Sequence, residues 1–263
     1  MTDHRNERAN VWVKLTAGSV LALALSSWLP ASALERYVGR ALTGEGRLAY
    51  TETHWRYDRN GRPARLVLYR CPSGDAFARK DVLAVDAPWT PNFEFVDGRD
   101  GYREGVRGEG ANREVFWQPS SGETRVRMLT VSDSSIIDAG FDEWVRHRWS
   151  TLSNAGVQAQ FLIPSRGKFL SVRMHRQPSS EVDTVKFRLG WDSWLSGIAP
   201  SVNLTYSTPG QRLRVFEGIG TIRTASGEPW PVRIEFPASA RTQNAVSAEI
   251  DAARALPLDG KCG

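Results

Sequence analysis

The chain has 263 residues, with 34 Lys and Arg against 29 Asp and Glu, and its formal net charge is +5 at pH 7. A hydrophobic content of 41% and only two cysteines exclude a disordered chain, a collagen-like repeat and a small disulfide-rich scaffold. A mean hydropathy of −0.38 excludes a polytopic membrane protein. These values predict one globular domain that buries most of its apolar surface.

The N-terminal residues have the pattern of a secretory signal peptide. Basic residues precede an apolar run from Leu15 to Leu29, and a small-residue A-x-A site follows at 31–33. The run is shorter than the roughly 20 residues that a membrane-spanning helix needs. We therefore predict cleavage after Ala33, a periplasmic location, and a single domain over 34–263. The alternative is an uncleaved segment that tethers the domain to the inner membrane.

Strand patterns dominate the predicted domain. Trp230, Val232 and Ile234 alternate with polar residues and proline, which is the period of a strand. An Asn-Gly turn at Asn60 and Gly61 joins two more patterns into a hairpin, over 47–57 and 64–70. Further strands are predicted at 76–85, 92–97, 101–107, 112–118, 124–131, 157–163, 168–175, 183–189, 201–207 and 211–223. Their regular spacing predicts an antiparallel meander.

Helical patterns are fewer. Asp138 is predicted to cap a helix over 139–153, whose apolar stripe comprises Phe141, Trp144, Val145, Trp149 and Leu152. A shorter helix is predicted over 191–198, and an Ala-rich third helix over 245–256. The fold class is therefore α+β and mainly antiparallel β, a long curved sheet or open half-barrel with one central amphipathic helix. Because the 47–57 pattern is apolar on both faces, we expect cover on both sides of the sheet; the alternative is that aromatic residues at its edges merely pack under loops.

The two cysteines, Cys71 and Cys262, predict one disulfide if the chain is exported; the alternative is two free thiols. The histidines His54, His147 and His175 lack metal-ligand spacing, so we predict no metal and no cofactor. The arginines are interleaved with acidic residues rather than clustered, which argues against a nucleic-acid partner. We expect a monomer, with an envelope protein as an alternative partner.

Sequence signatures of catalysis are absent: the chain contains no G-x-S-x-G, H-E-x-x-H, S-x-x-K or glycine-rich phosphate loop. The candidates for acid–base chemistry are Glu52 and His54, which project from one face of a predicted strand, with Glu104 or Asp100 as a third group. Such a pair is also common on protein surfaces, and no nucleophile accompanies it. The interpretation of this chain as an enzyme therefore stays open.

Five short segments resemble an uncharacterised family of exported proteobacterial proteins. They are Pro91–Asp97, Gly101–Gly105, Asp138–Asp142, Pro164–Arg166 and Leu213–Gly218, and the resemblance spans roughly 46–237. It implies export but no known activity, and it assigns no catalytic residues. The many antiparallel strands with a helix in the middle also resemble, by architecture and compartment alone, the periplasmic lipoprotein carriers LolA and LolB.

Two classes of function follow. The first is a periplasmic binding or carrier protein for an apolar, acyl-chain or lipid-like ligand, without chemistry; its cavity would be lined by Phe141, Trp144, Val145, Trp149, Trp191 and Trp194. The second is an envelope hydrolase or glycan-binding protein that acts on cell-wall or surface polysaccharide. The competing explanation for the tryptophans is an ordinary aromatic core. We favour the carrier.

Overall fold

The computed structural model describes Met1, residues 34–191 and residues 201–262. The strands of the described residues all lie in one compact unit, Ser32–Gly263. The strands are β1 (Glu35–Leu42), β2 (Leu48–Arg59), β3 (Arg62–Arg70), β4 (Ala76–Leu83), β5 (Asn92–Asp97), β6 (Tyr102–Arg107), β7 (Asn112–Gln118), β8 (Arg125–Thr130), β9 (Ser135–Ile136), β10 (Val157–Ile163), β11 (Lys168–Gln177), β12 (Thr184–Trp191), β13 (Val202–Ser207), β14 (Arg212–Arg223), β15 (Pro229–Glu235) and β16 (Arg241–Thr242). The α-helices are α1 (Phe141–His147) and α2 (Ser247–Ala255).

The strands form one long sheet, in the order β8-β7-β6-β5-β4-β3-β2-β1-β15-β14-β13-β12-β11-β10-β9, and β16 also pairs with β1. Neighbouring strands are antiparallel, except for the short parallel pair of β9 and β10. Two meanders, β1 to β8 and β9 to β15, therefore meet where β1 pairs with β15. The predicted antiparallel meander is confirmed, and the Asn-Gly turn is present, with positive φ at both Asn60 and Gly61.

The link between the two meanders requires a strongly curved sheet. Laid flat, fifteen strands would separate β8 from β9 by about 65 Å. The four residues 131–134 join those strands directly, and such a link spans at most about 20 Å. The sheet must therefore bend until its two edges approach each other, and one face becomes an inner face that the two meanders share.

Both faces of the sheet are covered, as the 47–57 pattern predicts. Tyr50 belongs to the large inner core, whereas Trp55 and Leu66 are buried on the outer face against Ile250 of α2. The indole Nε1 of Trp55 donates to Glu249 at 3.0 Å. The helix that covers this outer face is therefore the C-terminal one, which corresponds to the predicted 245–256 helix.

The mid-chain helix is shorter than the predicted 139–153. A 3₁₀ turn over Asp138–Gly140 precedes α1, and α1 ends at His147. Arg148 leaves the helical conformation, and its carbonyl accepts both the backbone N–H and the hydroxyl of Thr151. Trp144 and Val145 nevertheless pack on the sheet as the stripe predicts. The predicted 191–198 helix lies outside the described residues, apart from Trp191, which ends β12.

A disulfide between Cys71 and Cys262 fixes the C-terminal tail, which confirms the predicted bridge. The bonded residues are 191 positions apart. Next to the bridge, the backbone N–H of Gly260 donates to the carbonyl of Ala76 at 2.9 Å. The bridge therefore holds the tail against β4 and, through the tail, keeps α2 on the outer face.

Replacing Cys71 and Cys262 together with alanine is expected to lower the free energy of unfolding by up to about 5 kcal/mol, because the bridge restricts the unfolded chain over a long loop. Urea unfolding with and without reductant measures the effect. The reductant should destabilise the wild type and leave the double variant unchanged. A wild type whose stability does not respond to reductant would contradict the prediction.

Candidate functional site

A cavity of about 870 Å³ lies on the inner face of the sheet, and both meanders contribute to its wall. The part formed by β11 to β14 is mainly apolar, with Leu170, Leu189, Trp191, Leu204, Phe216 and Ile219. The part formed by β2 to β6 and the turn before α1 is polar, with Glu52, His54, Lys80, Tyr102, Glu104 and Asp138. The cavity therefore has an apolar wall and a charged wall.

The charged wall is built by strand register. Directly opposed residues of neighbouring strands point to the same face, and one such row crosses β1 to β6 on the inner face. It consists of Tyr37, His54, Val67, Lys80, Phe95 and Glu104. Glu52 lies two residues before His54 and so shares that face. The same alternation that builds the core thus places ionisable groups at the cavity.

Glu52 and His54 form a buried pair. The Nε2 atom of His54 lies 2.8 Å from Oε1 of Glu52, and both residues are less than a tenth exposed. Tyr37 stacks on the imidazole with ring centroids 4.5 Å apart, and Phe236 meets it edge-on. Burial lowers the pKa of His54, although the Glu52 charge acts in the opposite direction. The neutral imidazole therefore donates from Nε2, while its buried Nδ1 has no hydrogen-bond partner among the described residues.

Lys80 is the buried cation of the site, with a side chain only 4% exposed. Its Nζ forms an ion pair with the carboxylate of Asp138 and donates to the Thr221 hydroxyl at 2.9 Å. The ammonium also faces the rings of Phe93 and Phe95 at 5.5 and 5.7 Å. A buried ammonium is tolerated only when it is paired and hydrogen-bonded. These contacts join β4 to the turn before α1 and to β14.

Asp138 is not the helix cap that the sequence predicts. The residue before α1 is Gly140, no side chain caps the helix, and the Asp138 carboxylate instead contacts Lys80. Its φ of +29° is rare for a residue with a Cβ. Trp89 anchors the turn, because its backbone carbonyl accepts the backbone N–H of Ile137 at 3.0 Å. The fold thus imposes an unusual backbone that presents a carboxylate to the site.

Glu104 is a carboxyl of the cavity wall whose pKa lies well above the ordinary value of glutamate. Burial raises the pKa of Glu104 to about 7, and the Asp138 charge acts in the same direction. The Tyr102 hydroxyl, which donates to Oε2 at 2.7 Å, and the Lys80 charge act against that rise. A carboxyl that titrates near neutral pH can exchange a proton with a bound molecule or change its charge when a ligand arrives.

The structure divides the predicted ligand-binding residues into groups. Phe141 and Trp191 line the cavity. Trp144 and Val145 are fully buried in the core under α1, and Trp149 packs edge-on against Phe187 and Tyr206; these three are absent from the cavity wall. Trp194 lies outside the described residues. Most of the apolar stripe predicted for the helix therefore belongs to the core. This agrees with the competing explanation, in which the tryptophans form an ordinary aromatic core.

The predicted acid–base candidates are only partly brought together. Glu52 and His54 touch, but Glu104 lies four strands away in the same row, with Lys80 between them. Asp100 belongs to the turn before β6, where it binds Arg223 and Ser120. The sequence reasoning overlooked Lys80, whose signal is a lysine at an inward position of β4 between Ala78 and Val82.

The other two histidines of the described part of the chain lie outside the cavity wall. His147 stacks on Trp89 at 4.3 Å, and His175 lies on β11 opposite Arg188. No group of three or more potential metal ligands occurs among the described residues. Within residues 34–191 and 201–262, no helix is long and apolar enough to cross a membrane.

Comparison with known proteins provides no family for this chain. A scan against protein-family models and a search of curated proteins both found no match.

Trp144→Ala is expected to destabilise the protein by about 3–5 kcal/mol, because it empties a large volume in a core that cannot fully collapse. Trp191→Ala, a tryptophan of the cavity wall, should cost much less. Urea unfolding of the two variants measures both. Equal costs for the two tryptophans would show that Trp144 is not a core residue.

Glu104→Gln is expected to flatten the pH dependence of stability. Unfolded Glu104 loses its proton near the ordinary pKa of 4.5, whereas folded Glu104 keeps it up to about 7. Between those values the folded state binds more protons, so the free energy of unfolding falls as pH rises and stays low above 7. At about 1.4 kcal/mol per pKa unit, the loss amounts to up to about 3 kcal/mol.

Urea unfolding across that pH range, in wild type and variant, measures the difference. The lowered pKa of His54 acts in the opposite sense, since its stabilisation is lost as pH falls, but it is common to both proteins. Glu94→Gln is the matched control, because Glu94 is only half-buried on neighbouring β5 and pairs with Arg103. A slope that is identical in Glu104→Gln and wild type would contradict the raised pKa.

Proposed function

We propose that this protein is a periplasmic binding or carrier protein that holds an apolar, lipid-like molecule in its inner cavity without changing it chemically. The observation that supports the proposal is the size and apolar wall of the cavity. Its volume of about 870 Å³ falls in the range of ligand sites, about 300–1,000 Å³. A hydrocarbon chain gains about 0.8 kcal/mol for each CH₂ group that it buries.

The proposed architecture is an open half-barrel with the central helix packed at the cavity. Two observations support it: the four-residue link between the sheet edges requires curvature, and Phe141 at the start of α1 lines the cavity. In this arrangement the concave face holds the ligand, as in the LolA and LolB carriers that the sequence resembles by architecture. The half-barrel gives a ligand a route through the unpaired edges of β8 and β9.

The proposed location is the periplasm, after cleavage of the signal peptide behind Ala33. The Cys71–Cys262 disulfide supports it, because such bonds persist in oxidising compartments. An uncleaved N-terminal tether to the inner membrane is the alternative, and it would leave the cavity in the same compartment.

A hydrolase is the second candidate, and the Glu52–His54 contact in the cavity wall favours it. A carboxylate that orients an imidazole is a familiar base arrangement. However, the free Nδ1 is buried and contacts no hydroxyl among the described residues, and Tyr37 covers one face of the ring. Because the imidazole has no accessible free nitrogen, we favour binding over hydrolysis.

Ile219→Glu is expected to weaken the binding of the neutral fluorescent probe N-phenyl-1-naphthylamine by roughly tenfold or more, because a charge in the apolar wall is costly to desolvate. Ile219 is 38% exposed and lines the cavity, so the change spares the core. Fluorescence titration gives the dissociation constant. Val126→Glu is the matched control, since Val126 is exposed on β8 and outside the cavity wall. Absence of probe binding to the wild type, or equal loss in both variants, would overturn the proposal.

A further inference from the structure

The carboxyl groups that line the cavity differ in whether a basic side chain of the described residues pairs with them. Three of them have a basic partner: Glu35 pairs with Arg241, Asp138 with Lys80, and Asp142 with Arg146. Two more, Glu52 and Glu104, line the cavity without a Lys or Arg in ion-pair contact among the described residues. Glu52 has a neutral imidazole as its partner, and Glu104 has a phenol. Two buried carboxyls therefore lack a counter-charge.

Glu104 is the better placed of the two to meet a ligand. It is 9% exposed and lines the cavity, and its one hydrogen bond among the described residues comes from Tyr102. Arg223 lies over the Tyr102 ring at 3.6 Å, and its own partner is Asp100. Lys80 is already occupied by Asp138 and Thr221. Lys80 and Arg223, the two cations whose charges act on Glu104, thus already have a carboxylate partner, and a buried charge without a partner of its own is costly.

We propose that the molecule bound in the cavity is an amphipathic amine, whose cationic amino group contacts the Glu104 carboxylate while its hydrocarbon part lies on the apolar wall. The inference rests on the proposed binding function for its apolar part. Glu104 contributes a charge-assisted hydrogen bond, which is about twice as strong as a neutral one. An ammonium has donors only, and so it matches a carboxylate that has spare acceptor capacity.

The alternative occupant of this end is a neutral or anionic head group, such as a hydroxyl or a carboxylic acid. Such a group would need Glu104 to keep its proton and donate it. The charged groups that face Glu104 act in both directions: Asp138 opposes its ionisation, and Lys80 and Arg223 favour it. Because its pKa lies near neutrality, a modest change in pH separates the two cases.

The test uses three ten-carbon probes that differ only in the head group: decylamine, decanol and decanoate. Each displaces N-phenyl-1-naphthylamine from the full chain in a fluorescence competition assay. We expect decylamine to bind on the order of tenfold more tightly than decanol, and decanoate to bind more weakly than both. The preference for the amine should increase from about pH 5.5 to about pH 8, as Glu104 loses its proton.

Glu104→Gln should remove most of the preference for decylamine and leave decanol binding unchanged, whereas the control Glu94→Gln, outside the cavity wall, should retain the preference. Should Glu104→Gln fail to fold, the pH series on the wild type decides. Decanol or decanoate binding as tightly as decylamine, or a preference that falls as pH rises, overturns the amine inference while the binding function stands. Failure of the wild type to bind any of the four compounds overturns both.

Discussion

The buried ammonium of Lys80 is the contact on which the inner face of this protein depends. It lies in the middle of a strand that is otherwise apolar on that face, where an unpaired charge would be intolerable. Its two partners come from distant parts of the chain. Asp138 lies in the turn before α1, shortly after the crossover, which is the link over residues 131–134 between β8 and β9, and Thr221 lies in β14. Lys80 therefore fixes the crossover and the second meander against the first, and with them the position of the cavity.

The crossover sets a second constraint on the same region. Because residues 131–134 must join the two outer strands, the sheet cannot lie flat, and its concave face has to be filled by side chains, by α1 or by a ligand. Phe93, Phe95 and Tyr69 fill part of it. The remaining volume, between the row that contains Lys80 and the strands around Leu204, is the cavity. The cavity thus follows from topology, while its chemistry follows from register.

The strand content could be predicted from the sequence because period-two alternation is a local property. Residues 92–97 and 112–118 are predicted and observed with the same bounds. In contrast, the sequence does not predict β1, since Tyr37 is the one large apolar residue of its inner face and is followed there by the small residues Gly39 and Ala41. Gly39 lies opposite Glu52, and a Cβ there would lie only 2.8 Å from the Glu52 side chain. Such a requirement depends on a partner strand and leaves no periodic signal.

For the helix and the site, too, the sequence predicts local contacts but not those that depend on distant parts of the chain. The stripe over 139–153 correctly predicts that Trp144 and Val145 pack on the sheet, but not that the helix ends at His147. The Glu52–His54 contact was predictable, because residues two apart on a strand share a face. The partnership of Lys80 with Asp138, 58 residues away, depends on the crossover, and no pattern within either segment indicates it.

The energetics of this polar wall argue for a role beyond stability. Buried ion pairs are weak evidence of stabilisation, because desolvation offsets much of their attraction, and well-packed apolar residues often do as well. For Glu104 the balance is worse, since its ionised form has no cation in ion-pair contact among the described residues, and both burial and the Asp138 charge favour its protonated form. A core built for stability alone would place an apolar residue at this inward position, next to Phe95 and Trp117 in the register. A carboxyl at this position is explained if its cationic partner is the amino group of the bound ligand.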